Sequence, residues 1–264
     1  MMRLRASMLV LTALLASLAA PARAAERALV LDVNGVIGPA IADYVVRELH
    51  RASPEAVGVV VLRMNTPGGL DTSMRQIISA ILASPVPVVT YVAPSGARAA
   101  SAGTSIAYAS ASAAMAPGTN IGAATPVQLG GPMLPGGSAD QNKSEKSGDT
   151  ADTETRKVVN DAIAYIRSLA AINGRNADWA ADAVRSAVSL PATEALSLHV
   201  IDVVADDVPD LLGKIDGRTV TVASKPKQIA TGGLTVVAAT PDWRTELLTP
   251  VSYTHLTLPT ILLV

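Results

Sequence analysis

The pentapeptide Ala99-Ala100-Ser101-Ala102-Gly103 joins an apolar run at residues 86–93 to a segment that is typical of a helix. Earlier in the chain, the turn Pro67-Gly68-Gly69 likewise follows an apolar run, at residues 57–62. The run at 57–62 is typical of a strand that is buried on both faces of a parallel sheet, and the run at 86–93 is predicted to be the next strand. Because functional groups gather at the carboxyl ends of neighbouring parallel strands, we expect the serine and the glycine turn to lie close together.

The same order of strand, turn and helix occurs three times along the chain. Apolar runs at 28–33, 57–62 and 86–93 precede segments with helical spacing at 39–52, 70–82 and from 101 onward. This alternation predicts an α/β fold with a mainly parallel sheet and right-handed crossovers. Further strands are predicted at 111–116, 200–204 and 218–223, and further helices at 154–172, 176–186, 191–198 and 208–215.

The composition excludes several classes of function. A formal net charge of −1 provides no field that would attract nucleic acid, so we expect no nucleic-acid partner. The chain has no cysteine and only three histidines, which argues against thiolate nucleophiles and against metal sites. We therefore expect neither a metal nor another cofactor. Phenylalanine is absent and only 3% of the residues are aromatic, so small aliphatic side chains must form most of the core.

The N-terminus has the features of an export signal. Arg3 and Arg5 precede an apolar run at 8–20, and an Ala-x-Ala motif follows that run. The run is too short to span a bilayer comfortably. This pattern predicts a signal peptide at 1–24 and a mature protein that works outside the cytoplasm, on the periplasmic or extracytoplasmic face of the membrane.

The remaining chain divides into three parts. The main domain is predicted to cover 25–225. Within it, residues 128–153 are rich in Gly, Pro, Ser, Asp and Lys, and we expect them to form a mobile surface loop. Residues 226–264 have no clear period and are interpreted as a linker with a truncated or foreign tail.

Ser101 has two interpretations. Serine is a common residue before the first turn of a helix, where its hydroxyl caps a backbone N–H group. Alternatively, Ser101 is a nucleophile whose oxyanion product benefits from the positive end of the helix dipole. The Gly68-Gly69 turn favours the second interpretation, since it lets backbone N–H groups approach a reacting carbonyl without a side chain in the way.

A serine nucleophile needs a base, and no histidine is well placed to serve. His50 ends a predicted surface helix, His199 precedes a late strand and His255 lies in the tail. Lysine is the alternative, provided that its pKa is lowered from the usual value near 10.4. Lys157 begins an amphipathic helix directly before an apolar face. There we expect burial and the helix dipole to lower its pKa, whereas the rivals Lys143 and Lys146 lie in the polar loop.

Four separated blocks extend this interpretation: NTPGGL at 65–70, PSGARAASAG at 94–103, MAPGTNIGAA at 115–124 and KVVNDAIAYIR at 157–167. In this order they resemble the NfeD-type membrane-bound serine proteases of the ClpP class. The resemblance covers approximately residues 28–207. It implies a ClpP/crotonase-like spiral of β-β-α units.

The resemblance also implies a Ser–Lys dyad, with Ser101 matching the nucleophile and Lys157 the general base. Backbone N–H groups of Gly68, Gly69 and Ala102 match the oxyanion hole. Proteins of this type are similar in being homodimers that cleave apolar segments of stomatin-like membrane proteins.

Small and apolar residues near the serine, namely Ala99, Ala100 and Ile121, are predicted to line a groove for apolar peptides. Two alternatives stay open. A crotonase-like acyl-CoA enzyme would use the same oxyanion geometry to stabilise an enolate. A non-catalytic scaffold would bind a stomatin-like partner without cleaving it.

Overall fold

The structure is a computed structural model that describes residues 27–54, 56–126 and 148–239. The predicted signal peptide, residues 128–147 of the predicted loop and the end of the chain from 240 onward lie outside the described residues. The last six residues of that predicted loop, 148–153, are helical instead.

The described residues contain eleven strands and seven helices. The strands are β1 (Arg27–Asn34), β2 (Val57–Asn65), β3 (Val88–Val92), β4 (Arg98–Ala100), β5 (Ser112–Met115), β6 (Asn120–Gly122), β7 (Ser189–Pro191), β8 (Val203–Val204), β9 (Thr219–Val222), β10 (Lys225–Gln228) and β11 (Thr235–Ala239). The helices are α1 (Pro39–Arg51), α2 (Asp71–Ala83), α3 (Ala102–Ala109), α4 (Gly148–Asn173), α5 (Ala177–Arg185), α6 (Ala192–Ser197) and α7 (Val208–Ile215).

A parallel sheet of six strands forms the centre, in the order β11-β1-β2-β3-β5-β8. Every pairing within it is parallel, which confirms the predicted α/β fold. The apolar runs of β2 and β3 are buried almost throughout, because helices or further strands cover both faces of the sheet. The carboxyl ends of β2 and β3 lie together, and the chain leaves them toward the glycine turn and toward Ser101.

A second sheet, of three short strands, lies beside the serine. In it β4 pairs with β6 in parallel, and β6 pairs with β7 in antiparallel orientation. The sequence predicts none of these strands, since each has only three residues and depends on partners distant in the chain. Strand β4 ends directly before Ser101, so this sheet positions the serine.

The C-terminal boundary of the domain differs from the predicted one. Residues 226–239, which the sequence places in the linker, form β10, β11 and the turn between them. Strand β11 pairs in parallel with β1 at the edge of the central sheet. In addition, the hydroxyl of Tyr44 donates a hydrogen bond of 2.9 Å to the carbonyl oxygen of Ala239. The folded domain therefore extends to Ala239.

Small aliphatic residues fill the core, as the composition predicts, and three tyrosines add bulk. Tyr44, Tyr91 and Tyr108 are among the largest side chains that are fully buried. Helix α3 lies in the middle, and all eight of its residues are buried. Its small side chains allow neighbouring elements to approach closely. Among the described residues, no helix combines the length and the apolar character that a membrane span requires.

Candidate active site

Ser101 occupies the sharp turn between β4 and α3. Its backbone has φ 54° and ψ −114°, a conformation that L-residues rarely adopt. The turn is held because the Ser101 N–H donates to Gly122 O over 3.0 Å, while the Ala100 N–H donates to Thr66 O over 3.1 Å. The Ser101 side chain makes no capping hydrogen bond to α3, so its hydroxyl is not used as a cap. A serine with a strained backbone, whose hydroxyl is left available for other contacts, is typical of a functional position.

The Gly68-Gly69 turn contacts the serine directly. A Cβ atom on Gly68 would lie 2.6 Å from Ser101 Cβ and 3.1 Å from Ser101 Oγ. On Gly69, a Cβ atom would lie 2.1 Å from the carbonyl oxygen of Ile37. Both positions therefore require glycine, which confirms that the turn and the serine lie side by side.

The backbone N–H groups of this turn have different roles. The Gly68 N–H already donates to Thr66 Oγ1 over 3.0 Å, so it is not available to a substrate oxyanion. This differs from the predicted oxyanion hole, which included Gly68 as a donor. Within the described part of the chain, the N–H groups of Gly69 and Ala102 have no hydrogen-bond partner. The donors available to an oxyanion are therefore the N–H of Gly69, in the turn beside Ser101, and the N–H of Ala102, the residue that follows Ser101.

Ser101 opens into a cavity of about 270 Å³ between α2, α3 and α4. The residues that line it are Gly69, Leu70, Asp71, Met74, Arg75, Ser101, Ala102, Ser105, Ala124, Pro126, Ala162, Tyr165 and Val184. Apolar side chains such as Met74, Ala124 and Val184 are buried and form much of its wall. A space of this size, with one hydroxyl nucleophile and adjacent amides at its edge, suits one apolar side chain of an extended peptide.

A charged cluster lies at one side of the cavity. The guanidinium of Arg75 donates to Asp71 Oδ2 over 2.8 Å and to Asp161 Oδ2 over 2.7 Å. It also lies 4.4 Å from the ring centroid of Tyr165, in cation–π geometry. Burial raises the pKa of the Tyr165 hydroxyl, although the Arg75 charge opposes the increase. Arg75 thus connects α2 to two residues of α4.

Lys157 is not in the environment that the sequence predicts. Its side chain is exposed, and it is not among the residues that line the cavity. Helix α4 begins at Gly148, which places Lys157 in the third turn, beyond the reach of the helix dipole. Lys157 is therefore neither buried nor placed at the start of its helix. Lys157 lies about 7.5 Å along the helix axis from Ala162, which does line the cavity.

The comparisons with known proteins agree with this geometry. Residues 28–223 match the family described as NfeD1b, N-terminal domain. The chain belongs to this family. It is also 38% identical over 217 residues to the membrane-bound protease PH1510 of Pyrococcus horikoshii. That alignment covers 82% of this chain and 45% of the relative, so the chain spans less than half of the relative's length.

Two solved structures are similar to this NfeD1b domain. The first is a lysine-to-alanine variant of the 1510-N membrane-bound stomatin-specific protease in complex with a substrate peptide. It has a TM-score of 0.73 and 32% identity, and the match covers 87% of this chain and 99% of the other. The second is a serine-to-alanine variant of the same protease, with a TM-score of 0.71 and 32% identity. That match covers 83% of this chain and 100% of the other.

The predicted groove residues of the NfeD1b domain do not line the cavity. Ala99 and Ile121 are completely buried, and Ala100 is only half-buried. The reason is the three-stranded sheet, in which β4 forms backbone hydrogen bonds to Thr66 on one side and to β6 on the other. Ala99 and Ile121, which are partners in that pairing, therefore pack into the core.

Other residues that support the site were missed by sequence reasoning. The hydroxyl of Thr66 accepts from Gly68 N–H, and the hydroxyl of Thr104 lies within 2.9 Å of both Ala99 O and Gly122 O. Both threonines are completely buried. Thr66 belongs to the NTPGGL block, which marked the turn, but a buried threonine in an isolated sequence carries no signal of its own.

A substitution at Gly68 tests whether its contact with the serine matters. We expect Gly68→Ala to lower activity at least about tenfold, because the new Cβ displaces Ser101 from the two donor amides. The matched control is Gly118→Ala. Gly118 has a similarly positive φ of 74°, but a Cβ there would meet only Ser95 Cβ, at 3.9 Å.

Both variants are assayed for peptide cleavage and for thermal unfolding. Backbone strain costs about 1–3 kcal/mol of unfolding free energy at either position. Equal activity in the two variants would contradict the role assigned to the Gly68 contact.

Proposed function

We propose that this chain is a serine endopeptidase that uses a Ser–Lys dyad, with Ser101 as the nucleophile and Lys157 as the general base. The observation that carries the proposal is the strained Ser101 at the edge of an apolar cavity, between two backbone N–H groups that have no partner among the described residues. It is supported by the similar 1510-N protease, whose solved forms include one serine variant and one lysine variant.

The reaction begins when the neutral amine of Lys157 takes the proton from Ser101 Oγ. The oxygen attacks the peptide carbonyl carbon, and the N–H groups of Gly69 and Ala102 bind the resulting oxyanion. Such a donor contributes about 3 kcal/mol to the transition state. When the intermediate collapses, the C–N bond breaks and the amine product takes the proton from Lys157. A water molecule, deprotonated by Lys157, then hydrolyses the acyl ester and releases Ser101.

In this scheme the side chain of Lys157, which does not line the cavity, extends toward Ser101 when a peptide is bound. Its helix lines the same cavity as Ser101, at Tyr165 and at Ala162, and Ala162 lies about 7.5 Å along the helix axis from Lys157. Catalytic contacts often become short only when a substrate is bound. A peptide in the cleft would exclude water from the amine, and this exclusion favours its neutral form.

The substrate that we propose is an apolar segment of a stomatin-like membrane protein. The support is the apolar wall of the cavity, together with the similar 1510-N protease, which is described as stomatin-specific. We further propose a homodimer that acts on the extracytoplasmic face of a membrane. This location rests on the signal peptide predicted at 1–24 and on the membrane-bound character of the relative.

A serine-directed fluorophosphonate probe tests the proposed chemistry. We expect one covalent adduct per chain, and peptide mapping should locate it at Ser101. Ser105 is the internal comparison, because it lines the same cavity one turn further along α3 but lies inside the helix, where its own N–H donates to Ser101 O. An adduct at Ser105 alone would contradict Ser101 as the nucleophile. No adduct on a folded protein that binds apolar peptides would argue for a scaffold instead.

The apolar cavity also predicts a preference among peptides. Peptides with Leu, Val or Ile beside the scissile bond should be cleaved at least about tenfold faster than those with Asp or Lys there, because a charge loses its hydration in the cavity. The measurement is kcat/KM for a matched peptide series at one ionic strength. Equal values for apolar and charged peptides would rule out this cavity as the specificity pocket.

A further inference from the structure

Lys157 and Asp161 lie four residues apart on α4, so their side chains share one face of the helix. Oppositely charged residues at this spacing normally attract each other. Such a pair would hold the lysine in its charged form, which is the wrong form for a base. Within the described part of the chain, however, the side chain of Lys157 forms no ion pair or hydrogen bond.

The Asp161 carboxylate is bound elsewhere. Arg75 Nη2 donates to Asp161 Oδ2 over 2.7 Å, while the Nε atom of Arg75 donates to Asp71 Oδ2 over 2.8 Å. The guanidinium also stacks on the ring of Tyr165, one turn beyond Asp161. Three contacts therefore fix Arg75 in place, which makes it a stronger partner for Asp161 than a lysine on the same helix.

We infer that Arg75 is a positioning residue that binds the Asp161 carboxylate and thereby leaves Lys157 free to accept the proton of Ser101. This inference rests on the proposed Ser–Lys chemistry and adds a residue that the chemistry alone does not identify. Arg75 does not touch the reacting atoms in this scheme. It acts by removing a competing partner of the base.

On the described parts of the elements next to α4, the other charged groups are either absent or already paired. Helix α3 contributes none, since its sequence is AGTSIAYA. From α2 come Asp71 and Arg75 themselves. On α5, Asp178 pairs with Arg167 and Asp182 pairs with Arg185. On α4 itself, Glu154 and Arg156 precede Lys157 and remain unchanged in every variant below.

The test compares how the cleavage rate depends on pH in three variants. In Arg75→Gln the Asp161 carboxylate is released toward Lys157. We expect the midpoint of the rising limb of kcat to move about 0.5 pH unit to the alkaline side, and the rate below the midpoint to fall about threefold. In Asp161→Asn the connection between α2 and α4 is also weakened, but no competing carboxylate remains, so the midpoint should not move to higher pH. The double variant should behave like Asp161→Asn.

Arg167→Gln is the matched control, because Arg167 is an exposed arginine of α4 whose partner Asp178 lies 3.0 Å away and outside the cavity. Its midpoint should equal that of the wild type. If Arg75→Gln does not fold, Arg75→Lys is used instead. It keeps the positive charge but lacks the planar guanidinium that binds two carboxylates at once, so the midpoint should move to the alkaline side by a smaller amount. An equal shift in Arg75→Gln and Asp161→Asn, or no shift in either arginine variant, overturns the inference.

A second readout separates this inference from the proposed function. The titration of the Lys157 amine can be followed by NMR with labelled lysine in the inactive Ser101→Ala background, where no turnover is needed. The same alkaline shift on adding Arg75→Gln supports the inference even if cleavage depends on another base. An unchanged titration overturns it, whereas loss of activity in Lys157→Ala would still support the dyad.

Discussion

Replacing Ser101 by alanine should lower kcat/KM for an apolar peptide at least about a thousandfold, because the covalent step loses its nucleophile. The fold should survive. The Ser101 side chain makes no capping hydrogen bond to α3, so none is lost. Alanine and serine have the same backbone strain at a φ of 54°. We therefore expect the thermal midpoint of unfolding to stay close to that of the wild type.

Two further variants sharpen this result. Ser101→Gly should be equally inactive, yet should unfold at a higher temperature than Ser101→Ala, since glycine relieves strain of about 1–2 kcal/mol. Ser197→Ala, on the exposed surface of α6, should retain full activity. Substantial cleavage by a folded Ser101→Ala protein would show that another residue carries the reaction.

The order of elements was predictable because each long element carries its own periodic signal. The helix predicted at 208–215 corresponds to α7 (Val208–Ile215), and strand β2 was recognised from its continuous apolar run. In contrast, β4, β6 and β7 have three residues each and are defined only by pairing across the chain. Such strands leave no local pattern that a single sequence can reveal.

The candidate site was predictable in part for the same reason. Ser101 and the glycine turn follow two strands that are neighbours in the sheet, so strand order alone brings them together. The sequence does not show which N–H group of the turn is already used. That depends on the buried hydroxyl of Thr66, which binds the Gly68 amide.

The environment of Lys157 was predicted wrongly because burial was inferred from its neighbours in sequence. Val159 does pack against the core, but Val158 is 41% exposed and Lys157 is exposed as well. A helix that packs on one stripe leaves adjacent residues on different faces. The start of α4 at Gly148 was missed because residues 148–153 have the polar composition of the preceding loop.

Lys157→Ala should lower the cleavage rate by about a hundredfold to a thousandfold or more, because a positioned general base contributes rate factors of this size. Lys157→Arg should be equally inactive, since a guanidinium does not lose its proton in proteins. Lys143→Ala and Lys146→Ala are the controls of the same residue type, and their rates should stay near the wild-type rate. The measurement is kcat on an apolar peptide between pH 6 and pH 10, an interval of about four units that spans the histidine and lysine ranges.

The pH dependence of the cleavage rate identifies the kind of base, whatever the size of the rate loss in Lys157→Ala. A lysine base requires a rate that rises with pH as an amine loses its proton, with no limb in the histidine range. His199 provides the decisive comparison, because it is exposed and is not among the residues that line the cavity. If folded His199→Ala is inactive, or if Lys157→Ala keeps most of its activity, the Ser–Lys mechanism is wrong. Loss of activity in Lys157→Ala together with an unchanged thermal midpoint would support the proposed base on α4, since the protein would be folded but unable to take the proton of Ser101.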